Sequence, residues 1–151
     1  MNRTFTAETV SQGSGSMAAR YTHTELNHTL LKLREKAELS GIRTELRIAD
    51  LGLLPLRDDA LCDILSAVIQ DAENVAYNSE RKRLYTAVIT RTGQLVISVK
   101  ASSAAADAAL LASPNRSEIA AIRKQAEALG GSFVCSCDNG MICYTFCIGL
   151  S

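Results

Sequence analysis

Residues 61–76 read LCDILSAVIQDAENVA, and the class of the fold turns on this stretch. Leu61, Ile64, Leu65, Val68, Ile69, Ala72 and Val75 recur at the 3.6-residue period, which predicts an amphipathic helix lying across a sheet. Asp58 or Asp59 can cap it, because a short carboxylate side chain accepts from the free amides of a first helical turn. Gln70, Asp71 and Asn74 interrupt a surface otherwise made of apolar and small residues. Two readings of them stand: the solvated side of the helix, or a binding face.

The flanking segments extend the pattern. Upstream, residues 21–41 (YTHTELNHTLLKLREKAELSG) place Leu26, Leu30, Leu33 and Ala37 on one helical face and stop at Gly41. Residues 42–49 (IRTELRIA) alternate with the period of a half-buried strand, and residues 50–59 form a connection broken by Gly52 and Pro55. Downstream, RLYTAVITR (83–91) and QLVISVKA (94–101) read as an antiparallel hairpin across Thr92-Gly93. Residues 102–115 (SSAAADAALLASPN) lose strand character and read as a loop or a short helix; so little side-chain bulk is expected to leave residues 102–114 mobile. A third helix over 116–131 buries Ile119, Ile122, Ala126 and Leu129 and ends at Gly130-Gly131. SFVCSC (132–137) and MICYTFCIGL (141–150) close the chain as a hairpin across Asp138-Asn139-Gly140. The order α-β-α-β-β-α-β-β implies an α+β fold: a two-layer α/β sandwich, a mixed sheet with helices packed on one face.

Composition narrows the function classes. The 151 residues suit one domain, and 16 basic against 16 acidic residues leave no basic field of the kind that binds nucleic acid. No apolar run approaches the ~20 residues of a membrane span, and the first twenty residues lack the apolar core of a signal peptide, which points to the cytoplasm. Those twenty residues are rich in Ser, Thr, Gly and Gln, with SQGSGSM (11–17) resembling a flexible linker, so the domain proper is assigned to 21–151. The five cysteines, Cys62, Cys135, Cys137, Cys143 and Cys147, all fall within apolar patterns and read as reduced core thiols; their spacing is not that of the common zinc modules.

With these elements in order, NHTLLKLREKAELSGI leading into a strand, LCDILSAVIQDAENVA, the hairpin ending LVISVKAS, IRKQAEALGGSF and NGMICYTFCI together resemble the ATP-binding domain of sensor histidine kinases. More narrowly, they are similar to the branch of the GHKL ATPase superfamily found in quorum-sensing and citrate-type sensors. The resemblance covers roughly residues 24–150 and rests on element order and hydrophobic pattern. It implies ATP or ADP with Mg2+ as ligand, and as partners a dimerisation and histidine-phosphotransfer domain and a response regulator; a homodimer is compatible with it.

The motifs depart from that family. The long helix would carry Asn-x-x-x-Asn-Ala, with both amides facing the metal and phosphates; here the matching positions are Ala67 and Asp71, followed by Ala72. Asp71 keeps an oxygen donor and is the candidate metal ligand, while Gln70 and Asn74 form an alternative amide pair four residues apart. The adenine-recognising Asp-x-Gly-x-Gly is matched only by Asp107-Ala-Ala-Leu-Leu, and the second glycine box by Ser113-Pro-Asn-Arg-Ser-Glu. Where an Asn often follows the hairpin strand stands Ala101, beside Lys100, the remaining candidate for a phosphate contact. His23 and His28 lie on the first helix and read as surface residues. Two expectations follow: a kinase ATP-binding domain with weak or absent nucleotide binding, or an interaction or regulatory module on the same fold. Whether the domain is enzymatic stays open at this level.

Overall fold

The computed structural model describes residues 24–49 and 58–149. The elements are α1 (Thr24–Leu39), β1 (Arg43–Ile48), α2 (Asp58–Tyr77), β2 (Arg83–Arg91), β3 (Gln94–Ser102), a 3-10 turn (Ala105–Asp107), α3 (Ala108–Leu111), α4 (Ser117–Ala128), β4 (Ser132–Asp138) and β5 (Met141–Gly149). The strands form one five-stranded sheet in the order β1-β2-β3-β5-β4. β1 runs parallel to β2 and every other neighbour is antiparallel, so the sheet is mixed. The anticipated α+β sandwich is the observed architecture, with the apolar hairpin β2-β3 inside the sheet and β1 and β4 at its edges. The flexible segment expected over residues 1–20 lies outside the described residues, as do residues 50–57 of the expected 50–59 connection.

Helix ends follow local rules. α1 and α4 stop alike: Ile42 and Gly131 each donate an amide to the carbonyl five residues back (Ala37 and Ala126, 3.0 and 2.9 Å), with Gly41 and Gly130 at φ 83° and 87°. Only glycine adopts that left-handed conformation without steric cost, so the helices end where the sequence places it. Both hairpins are two-residue turns with positive φ at each central residue, Thr92-Gly93 and Asn139-Gly140, which matches the right-handed twist of the strands. At the N-terminus of α2, Asp59 Oδ1 accepts from the amide of Ala60 at 2.8 Å.

One face of the sheet carries the core. Leu84 and Val88 of β2, Leu95, Ile97, Val99 and Ala101 of β3, and Ile142, Tyr144, Phe146 and Ile148 of β5 point toward α1, α2 and α4. The alternate residues point away from the helices, and apart from Ser102 at the end of β3 they are only half-buried or exposed. Two serines pin the end of α2 to the hairpin: Ser79 Oγ and Ser102 Oγ lie 2.7 Å apart, and they accept the amides of Lys82 and Arg83 at 3.0 and 2.8 Å.

The cysteines correct one expectation. Only Cys62 is buried; Cys135, Cys143 and Cys147 are half-buried and Cys137 is exposed. Strand alternation puts Cys135 and Cys137 on the helix side and Cys143 and Cys147 on the open side, because helices cover one face alone. Among the described residues no group of three or more His, Cys, Asp or Glu could hold a metal ion.

Candidate functional site

Asp71 sits on α2 where the helix passes under β5, and it is buried rather than solvent-facing. An ionised carboxylate there must have its charge compensated. Arg116, the residue that precedes α4, supplies it: Nη1 donates to Oδ1 at 2.9 Å and Nη2 to Oδ2 at 2.6 Å, a bidentate pair. The Tyr144 hydroxyl donates to Oδ2 at 2.7 Å from the core side of β5. Both carboxylate oxygens are therefore engaged by the chain itself. Arg116 Nε donates to the carbonyl of Leu111 at 2.7 Å and Nη1 lies 3.4 Å from Glu118 Oε1, so one side chain ties α2, the end of α3 and the start of α4 together.

The electrostatics follow from this packing. The hydrogen bonds to Asp71 hold the Arg116 guanidinium well above its ordinary pKa, against a smaller opposing effect of burial. Burial first, and the adjacent Asp71 charge second, push the Tyr144 phenol above its usual range. Cys135, on the neighbouring strand, is pushed up to about 12 by burial, only partly opposed by Arg116. Both acids hold their protons more tightly folded than unfolded. Stability should be level up to about pH 8.5 and then decline as the unfolded chain begins to lose its thiol and phenol protons, by about 1.4 kcal/mol per pH unit per group. Urea unfolding from pH 7 to 10.5 measures this, and a flat profile would contradict the buried placement of both groups.

The segment after β3 contains a 3-10 turn and the single helical turn α3, with Ala108 and Ala112 packed into the core and Leu110 exposed. Its end is held by Arg116 through Leu111. The structure does not bring the four sequence candidates together. Gln70 and Asn74 are exposed on α2, where the Asn74 carbonyl accepts from Asn78 Nδ2 at 2.8 Å. Lys100 is exposed on the opposite face of the sheet from Asp71, since its neighbours Val99 and Ala101 take the core-facing positions. Arg116 and Tyr144 were not among the candidates. A tyrosine in an otherwise apolar strand was the available signal, because a buried hydroxyl requires a partner.

A second buried carboxylate, Glu73, faces α1, where Lys36 Nζ lies 3.8 Å from Oε1. A small pocket between α1, α2, β1 and β2, lined by Leu30, Leu33, Thr44, Leu46, Ile69 and Thr86, has a volume of about 10 Å³, room for about one water molecule. It involves none of the candidate residues.

No protein-family model matches the chain, and no curated protein sequence matches it. Solved structures do. The catalytic domain of the histidine kinase ThkA superposes with a TM-score of 0.66 at 14% identity, over 86% of this chain and 94% of that one. The histidine kinase AdeS of Acinetobacter baumannii gives 0.64 at 15% identity, over 87% of this chain and 66% of AdeS. Full-length ShkA in complex with AMPPNP gives 0.65 at 15% identity, over 85% of this chain but only 30% of ShkA. The chain thus spans most of the ThkA catalytic domain but only part of AdeS and ShkA, and its fold is the fold of histidine kinase catalytic domains.

Proposed function

We propose that this chain is the ATP-binding-type domain of a two-component sensor histidine kinase, of the quorum-sensing and citrate-sensor kind, whose nucleotide site is degenerate. The observation that carries the proposal is the Asp71–Arg116 pair. At the position corresponding to the second amide of the family's helix motif stands a carboxylate whose two oxygens are already taken by a guanidinium and a phenol. Magnesium would have to displace a bidentate, charge-assisted contact to reach it. The residues do not fit Mg2+ with ATP or ADP: Ala67 has no donor atom, Asp71 is engaged, and Lys100 lies across the sheet. The backbone before α4 carries Arg116 where a glycine loop would wrap phosphate.

On this reading the domain works as an interaction or regulatory module beside a dimerisation and histidine-phosphotransfer domain and a response regulator, and phosphoryl transfer is not its own activity. Transfer from ATP depends on positioning and charge stabilisation, which a site without phosphate ligands cannot supply. Titration calorimetry with ADP and excess Mg2+ tests it. Binding is expected to be no tighter than roughly millimolar, about −4 kcal/mol. Micromolar binding would overturn the proposal and restore an ATP-dependent kinase domain.

A further inference from the structure

The sheet face turned away from the helices has a composition laid out by the strand register. One row across it holds Glu45, Tyr85, Lys100, Cys143 and Ser136; the next holds Arg47, Ala87, Ser98, Thr145 and Val134. Val134 is 62% exposed, and Ala87, Ser98 and Thr145 are half-buried with no helix over them. Glu45 and Arg47 sit side by side in exposed positions, and neither lies within salt-bridge distance of another described residue; Arg83 feels the charge of Glu45 only at longer range.

We propose that two copies of this chain associate through this face, around a two-fold axis that runs across the strands between these two rows. Such an axis exchanges the rows and keeps each strand over its own counterpart. Glu45 then faces Arg47 of the second copy, and Arg47 faces its Glu45, so the charge pair left unmade within the chain is made twice between chains. Tyr85, whose hydroxyl accepts from Arg83 Nη1 at 3.2 Å, lies over the small Ala87 of the second copy, and Lys100 lies over Ser98. Large meets small and no like charges meet. The other face-to-face symmetry, an axis along the strands, would set the central Lys100 against itself and is disfavoured by that repulsion.

Packed sheets keep their strand directions within about 30° of each other, an offset that long Glu and Arg side chains can span. With strands spaced about 4.8 Å apart and rows about 7 Å apart, the five-stranded face offers on the order of 600 Å² per copy. Twice that reaches the lower end of the range of stable interfaces, about 1,200 Å². The inference is independent of whether nucleotide binds.

Sedimentation equilibrium of the full 151-residue chain tests it. The parent should form a dimer in the micromolar range. Glu45→Arg alone and Arg47→Glu alone should each raise the dissociation constant about tenfold, because the two-fold axis repeats every lost pair. The double variant Glu45→Arg/Arg47→Glu should return to within about threefold of the parent, since it rebuilds both pairs in reverse. Both positions are exposed on an edge strand, and thermal melting of each variant checks that the fold is kept. A parent that stays monomeric to about 500 µM overturns the proposal, as does a double variant no better than the single ones.

Discussion

Arg116→Ala is expected to destabilise the domain by about 3 kcal/mol, measured by urea unfolding, because it leaves the Asp71 carboxylate buried without its cation. The value belongs at the lower end of the range for broken buried pairs: Arg116 is partly exposed, and Tyr144 still donates to Oδ2. Much of the loss is the penalty on Asp71 rather than the worth of the pair. Adding Asp71→Ala to Arg116→Ala should therefore recover a good part of the stability, a coupling that a double-mutant cycle reads directly. Arg116→Lys should fall between parent and alanine, since an ammonium cannot hold two carboxylate oxygens and the Leu111 carbonyl in one planar fork. If Arg116→Ala cost less than about 0.5 kcal/mol, the guanidinium would be a surface contact, and the filled-site account of the domain would fail with it.

Gly131→Ala is the second large effect, at about 3 kcal/mol. A Cβ at this position would lie 2.6 Å from the Cys147 carbonyl oxygen and 2.7 Å from the Phe146 ring. The first of these is backbone of β5 and the second is a fully buried side chain, so neither can swing aside. The helix that follows Arg116 reaches the sheet through this glycine, whose amide also closes the last turn of α4 on Ala126. Gly130→Ala should cost less, about 1 kcal/mol, because a Cβ there meets nothing and only the positive φ is penalised. Thermal melts of the two variants side by side give the comparison, and equal losses would mean that close packing at Gly131 is not what matters.

Periodicity and turn chemistry are local, and for that reason α2 over its apolar face, the β2-β3 and β4-β5 hairpins at Thr92-Gly93 and Asn139-Gly140, and the glycine stops of α1 and α4 could be read from residues close in sequence. The helix-on-sheet class followed from their order. Asp71 also stood out, as a charge among Leu, Ile and Val. What it does there could not be read, because its partners lie 45 and 73 residues away and meet it only once α4 docks beside α2 and β5 enters the sheet between β3 and β4. The position of Lys100 across the sheet from Asp71 was within reach of strand alternation with Val99 and Ala101, but only the packed structure says which of the two faces the helices cover. The same holds for the cysteines of β5: alternation separates Cys143 and Cys147 from Tyr144 and Phe146, and the single helix layer leaves the two thiols on the open side. The sequence by itself thus determined the elements, their ends and their apolar faces, all properties of neighbouring residues. The tertiary structure decided the strand order, the covered face and the partners of the buried carboxylate, because each depends on contacts between segments far apart along the chain.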